Sequence, residues 1–176
     1  MRHPIAAYNI GTYKPGATNI STNSTRFSTN IGLNEDKETH KGSQVNAFRH
    51  TLWQATIRNK FGTAIAQQAG NAHEENPRVN LAIRNFKGEG ALSKADQTID
   101  LLNNQIGREI GKNNPNASPQ ELAVKTLDYF HDKGLYTSET NKDGSVSVSQ
   151  TKISDSQYNN AMGTLKNMDD NGRSKK

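Results

Sequence analysis

The sequence predicts a mainly α, compact helical domain with a small C-terminal β-hairpin and an irregular N-terminal arm. Three observations predict it. Apolar residues concentrate between Val45 and Phe130, where they recur at the three- and four-residue spacing of a buried helical stripe. The periodic segments in that span are bounded by helix start and stop residues. The clearest strand-type signal comes late, where two short runs flank Lys142-Asp143-Gly144. These signals divide the chain into an arm over 1–41, a helical domain over 42–170 with its hairpin at about 135–150, and a basic tail over 171–176.

The arm is rich in Asn, Thr, Ser and Gly and carries only isolated apolar residues, too few to form a core alone. It reads as extended or irregular chain, with room for a short helix near Arg26 and Phe27. The first strong helix spans Ser43 to Phe61, with Ser43 as its cap and Gly62 as its stop. Phe48, Leu52 and Ala55 form its core stripe, while Asn46, Arg49, His50, Trp53 and Gln54 share a second face. A second helix is predicted from Thr63 to Glu75, ending before Pro77. A third is predicted from Ser93, with Asp96 completing a Ser-x-x-Asp cap, to Lys112. Its stripe is Ile99, Leu102, Ile106 and Ile110. Gly107 and Gly111 weaken that helix by roughly 1 kcal/mol each relative to Ala, which close packing or a ligand would explain. Ser118-Pro119-Gln120-Glu121 is a capping box with proline at the first helical position, and that helix ends near Gly134. The hairpin follows, then a last helix from Asp155 to Asn167.

Composition bounds the function. The net charge of +5 favours an anionic partner such as nucleic acid, though no run of five like charges marks a binding patch and surplus surface lysine gives the same number. There are no cysteines, which excludes disulfides, thiolate metal sites and cysteine nucleophiles. No apolar run approaches a membrane span, so stable membrane insertion is not expected. The N-terminus lacks the apolar core of a signal peptide, so an export signal is expected on a larger parent chain.

The candidate chemistry comes from three helices: Arg49 and His50 on the first, His73 and Glu74 on the second, Asp100 and Asn104 on the third. One use of such a set is metal-free RNA cleavage. It needs a base for the ribose 2′-hydroxyl, an acid for the leaving oxygen and a cation for the phosphate. His50 and His73 suit both proton transfers, with Glu74 as a base or orienting group and Arg49 as the phosphate clamp. Trp53 is placed to stack a base, and Asn46, Asn104 and Arg108 are further substrate-binding candidates. No cofactor is needed for that chemistry. The alternative is a divalent metal ion held by His50, His73, Glu74 and Asp100 for phosphoester hydrolysis. That order resembles the HD family, which places His, His-Asp and Asp on helices. Glu74 stands where that family has Asp, one methylene longer and about 1.5 Å further out. The same side chains also read as buried histidines, hydrogen-bonded to Asp100 or Asn104, that fix helix packing. His40 reads as a loop histidine, and His131 as a favourable charge at a helix C-terminus.

Three stretches, Val45–Ala55, Gly70–Pro77 and Ala95–Arg108, together resemble C-terminal toxin domains of filamentous haemagglutinin-like proteins of contact-dependent growth inhibition systems. The likeness covers roughly Ile5 to Gln157. It implies a domain secreted or displayed on a large cell-surface carrier, acting in the target-cell cytoplasm and neutralised in siblings by a cognate immunity protein. Such toxin ends include tRNases, DNases and pore formers, and some of the tRNases use elongation factor Tu as a helper. The expectation is therefore an enzyme, a ribonuclease, with tRNA as its expected substrate. A non-enzymatic toxin that binds a host factor is a further alternative.

Overall fold

A computed structural model describes residues 3–36, 38–74, 76 and 78–175. Among these residues the chain forms seven helices and a three-stranded sheet: α1 (Pro4–Ile10), α2 (Ile20–Ser28), α3 (Gln44–Phe61), α4 (Thr63–His73), β1 (Asn85–Phe86), α5 (Ala91–Asn113), α6 (Pro119–Asp132), β2 (Leu135–Thr140), β3 (Val146–Thr151) and α7 (Asp155–Lys166). The mainly helical domain and the C-terminal hairpin match the sequence expectation. The expected helix end at Glu75 and the stop at Pro77 lie outside the described residues, and α4 ends at His73. No described helix is long and apolar enough to cross a membrane.

Helix α3 is the centre of the fold. Ser43 accepts from the Asn46 amide at its start, and Gly62, at φ 86°, ends it. Phe48, Leu52 and Ala55 face the main core with Phe27, Leu127, Phe130, Leu135 and Leu165. On another side Ile57 joins Ile10, Ile20 and Ala66 in a smaller cluster that seats α1, α2 and α4. A third cluster packs Ala95, Ile99 and Leu102 of α5 on Val146 and Val148 of the sheet.

The sheet order is β1-β3-β2, antiparallel throughout. The predicted hairpin runs from the pair Leu135 and Thr151 to the pair Thr140 and Val146. Asp143 closes its turn by accepting from the Ser145 amide, and Gly144 takes φ 78°. The short strand at Asn85–Phe86 adds to β3 and was not legible in a stretch that reads only as apolar.

The N-terminal segment is not an irregular arm. Residues 4–28 form two helices, and Ile10, Ile20, Phe27 and Ile31 are all buried. Its few apolar residues suffice because they are spent on shared cores rather than on a core of its own. Small polar residues occupy the rest of the buried face: Thr22, Ser24 and Ser28 are all buried. Asn19 caps α2 by accepting from the Thr22 amide. The basic tail is anchored as well. Arg173 donates to the Gly16 carbonyl, and Arg26 reaches the Asn171 carbonyl, so residues 171–173 clasp the α1–α2 region. Lys176 lies outside the described residues.

Helix α5 begins two residues earlier than its Ser-x-x-Asp signal suggests, at Ala91 after Gly90 in the left-handed region. Asp96 is needed elsewhere. Its carboxylate accepts from the Gly42 amide at 2.8 Å and the Asn46 side chain at 3.2 Å, at the N-terminal end of α3. The Ser118–Glu121 capping box of α6 is present as the sequence predicts. His131 does more than cap that helix: it bridges Asp132 at 2.9 Å and Asp155 at 2.8 Å, tying α6 to α7, and these two hydrogen bonds push its pKa up.

Helices α3 and α5 run side by side and touch through backbone. A Cβ placed on Gly107 would stand 2.2 Å from the Thr51 carbonyl oxygen, and one on Gly111 2.3 Å from that of Ala55. Gly107→Ala is expected to lose about 1–3 kcal/mol to overpacking, in spite of the helix-propensity gain of roughly 1 kcal/mol. Gly163→Ala, where nothing lies within 4 Å, is the matched control and is expected to gain up to about 1 kcal/mol. Denaturant unfolding of both variants measures the difference; equal stability gains would show that the two helices do not approach this closely.

Candidate functional site

The parallel register of α3 and α5 pairs two polar stripes. On α3 the stripe is Asn46, His50, Gln54 and Arg58; on α5 it is Asp96, Asp100, Asn104 and Arg108. These are i, i+4 steps, so each stripe lies on one helical face. Helix α4 lies over them. It comes this close because Gly70 has no side chain: a Cβ there would stand 2.7 Å from Gln54 Nε2 and 3.2 Å from Asn104 Nδ2. The end of α4 then sets His73 and Glu74 over His50.

His50, His73 and Glu74 form one cluster. Each offers a ligand-type atom, and these atoms lie within 4.8 Å of one another. The His50 and His73 ring centroids are 5.4 Å apart, with Trp53 5.6 Å from His73 and 6.4 Å from His50. His50 is 4% exposed. Its Nε2 lies 3.5 Å from the Asp100 carboxylate, which leaves Nδ1 as the free ring nitrogen. That Nδ1 is buried with no hydrogen-bond partner among the described residues, and so is Glu74 Oε1. Buried polar atoms are almost always paired; the others without a partner among the described residues, Gln54 Nε2, Arg58 Nε and both side-chain polar atoms of Asn104, lie along the same polar stripes, and these two are the ones of the metal-ligating kind.

Asp100 stands on the far edge of the His50 ring from that free nitrogen. It also accepts from Asn46 at 3.0 Å. It lies beside His50, and the three ligand-type side chains that come together are His50, His73 and Glu74, one fewer than the expected four-residue set with Asp100. A carboxylate on the outer nitrogen of an imidazole fixes its tautomer and raises its strength as a ligand. Asn46, expected to bind substrate, is buried beneath the site. It donates to Asp96 and Asp100 and accepts from Arg49, so it organises charges instead.

The electrostatics follow from burial. Burial pushes the His50 pKa well below its ordinary value, with the Arg49 and His73 charges adding to the effect and the nearby Asn104 side chain opposing it. Burial and Arg49 also lower His73, against a smaller opposing pull from Asp96. Both rings are thus held toward the neutral form, the one that ligates metals. The carboxyls move the other way. Burial raises Glu74 to about 7, with Asp96 adding to the rise. It also raises Asp100 well above its ordinary range, reinforced by Asp96 and Glu74.

A cleft of about 240 Å³ opens above His50 and His73. Arg49 and Trp53 line it from α3. Its opposite wall comes from the N-terminal segment: Gly11, Thr12 and Tyr13 of the α1–α2 loop, and Ser21, Ser24 and Thr25 of α2. Arg49 has no carboxylate within ion-pair distance among the described residues. Of the four residues expected to bind substrate, only Trp53 lines the cleft. Asn104 is fully buried beneath α4, and Arg108 donates to Gln54 at 3.3 Å within the polar stripe. His40 is exposed and pairs with Glu35, away from the cleft. Sequence reasoning did not find Tyr13, Ser24 or Thr25, because nothing in a polar, low-complexity stretch marks which hydroxyls face a cavity.

Residues 1–134 match a family described as a domain of unknown function, DUF6973. The chain belongs to that family. No curated protein and no solved structure matches it. The DUF6973 span takes in the metal-type cluster, the polar stripes and both walls of the cleft, and it ends at Gly134, before β2, β3 and α7.

Glu74 gives the site a measurable signature. Its folded pKa of about 7 lies above its ordinary value of 4.5, so the folded chain binds the extra proton and stability falls as pH rises between those values. In metal-free protein, the stability of wild type relative to Glu74→Gln is expected to decline from pH 4.5 through 7. Thermal melts across that range provide the check; a difference that stays constant with pH would mean Glu74 is solvated.

Proposed function

We propose that this domain is a metal-dependent phosphoesterase, in which His50, His73 and Glu74 hold one divalent cation and Arg49 receives the phosphate. The observation that carries this reading is the pair of orphaned buried atoms, His50 Nδ1 and Glu74 Oε1, in a cluster whose third member is His73. Two imidazoles and a carboxylate form the ligand set of catalytic zinc sites that leave a fourth position open. The 4.8 Å spread closes to about 3.4 Å, the ligand separation of a tetrahedral site with bonds near 2.1 Å, by modest side-chain movement. When bound, such an ion supplies a nucleophilic hydroxide at neutral pH and polarises the phosphoryl oxygen.

The chain's own residues do the remaining work. Asp100 holds the His50 ring with Nδ1 toward the cluster. Asn46 accepts from Arg49, which lines the cleft and whose guanidinium fork matches two phosphate oxygens. This reading is favoured over metal-free acid and base catalysis by His50 and His73. That chemistry needs one ring protonated, and burial beside Arg49 opposes protonation of both. The motif resemblance to growth-inhibition toxin domains supplies the setting we propose: cleavage of RNA, with tRNA as the first substrate to test, in the cytoplasm of a target cell. A cognate immunity protein and elongation factor Tu are the partners implied.

The test uses the full chain stripped with a chelator and reloaded with Zn²⁺, Mn²⁺ or Mg²⁺, incubated with total tRNA with and without cell extract. Cleavage is expected only after reloading. His50→Ala is expected to abolish it, and Asp100→Asn to weaken metal affinity about 10–100-fold while the fold persists. Cleavage that survives the chelator, or no cleavage with any ion and extract, contradicts the proposal.

A further inference from the structure

The wall of the cleft that faces Arg49 carries chemistry that phosphate hydrolysis does not use. The Ser24 hydroxyl lines the cleft from a residue only 2% exposed, and it has no hydrogen-bond partner among the described residues. That hydroxyl keeps both its donor and its acceptor capacity for a group that enters the cavity. Thr25 stands beside it and donates to the Ser21 carbonyl at 3.0 Å, leaving its oxygen able to accept. Two aromatic residues complete the cleft. Trp53 is anchored by its indole N–H, which donates to Ser21 at 3.1 Å, so the ring is fixed before any ligand arrives. Tyr13 also lines the cleft and is 59% exposed, which leaves much of its ring open to a ligand.

A guanidinium, two neighbouring hydroxyls and two aromatic rings around about 240 Å³ correspond to the three parts of a nucleotide. The cleft is smaller than the roughly 300–1,000 Å³ of drug-sized ligand sites, so it admits one unit and no duplex. We infer that the cleft binds a single unpaired nucleotide, with its phosphate on Arg49, its ribose hydroxyls against Ser24 and Thr25, and its base between Tyr13 and Trp53. This deepens the phosphoesterase reading and rests on it for the identity of the reacting bond. Base stacking on aromatic side chains tolerates any base, so the site selects for strand state and sugar more than for sequence. The N-terminal helices are thereby part of the substrate site.

Trp53 is the single tryptophan of the chain, so its fluorescence reports on this cleft alone. The full chain is titrated with adenosine 5′-monophosphate, ribose 5-phosphate and inorganic phosphate, then with a single-stranded and a duplex RNA oligonucleotide. The nucleotide is expected to change the emission saturably and to bind at least about fivefold tighter than ribose 5-phosphate, the low end of one stacked base. The single strand is expected to compete with the nucleotide and the duplex is not. Tyr13→Ala and Ser24→Ala should each weaken nucleotide binding, while Tyr8→Ala, at an exposed tyrosine outside the cleft, should leave it unchanged. Equal affinity for nucleotide and ribose 5-phosphate, or no saturable change with any of them, overturns the inference. Metal affinity measured alone by calorimetry separates the two readings. Metal binding without nucleotide binding removes this inference and leaves the metal site standing. Nucleotide binding in the presence of chelator, with no metal affinity, supports this inference and removes the metal site.

Discussion

Backbone contact between α3 and α5 is the constraint on which the rest of the structure depends. Gly107 and Gly111 let the two helices meet with no side chain between them, in a register that sets Asp100 beside His50 and Asp96 beside the start of α3. Separating the axes by the width of a methyl group would lengthen every one of these polar contacts at once. Gly70 extends the same device to α4, whose close seat brings His73 and Glu74 over His50. Three glycines in helix interiors are locally unfavourable, and each is occupied where a Cβ would strike a neighbour. The helices give up propensity so that polar side chains from three elements can converge.

That convergence concentrates groups that resist burial. Two imidazoles, three carboxyls and a guanidinium share a small volume, and burial lowers the imidazole pKa values and raises those of the carboxyls. On the proposed reading this balance would suit a divalent cation, because neutral imidazoles need no deprotonation and a cation would favour the charged carboxyls. Arg49 stands at the edge of the same field, held by Asn46 and not by a carboxylate, so it remains free for an anion that approaches from the cleft. Cation and anion sites side by side are the arrangement phosphoester chemistry requires.

Much of this was legible in the sequence, and the remainder was not for identifiable reasons. The helices α3, α5 and α6 announce themselves through apolar stripes and caps, and the hairpin through Lys142-Asp143-Gly144. The placement of Arg49, His50, His73 and Glu74 near one another follows from their faces on adjoining helices. Which nitrogen of His50 is free does not, since that depends on a carboxylate fifty residues away. The role of Asp96 was hidden by a local pattern that fits a helix cap equally well. The N-terminal segment misleads by composition: its buried face is built from Thr22, Ser24 and Ser28, so no apolar period betrays α2, and its few apolar residues complete cores made by other elements. A wall of the cleft therefore lies in the part of the sequence that reads as least structured.

The central claim is that a cation sits among His50, His73 and Glu74. X-ray diffraction from metal-loaded crystals, recorded on both sides of the metal's absorption edge, locates such an ion directly. A single anomalous peak at roughly 2.0–2.2 Å from His50 Nδ1, a His73 ring nitrogen and a Glu74 carboxylate oxygen is the predicted result. An anomalous map with no peak there, or with His50 turned so that Nδ1 bonds to protein, would contradict it.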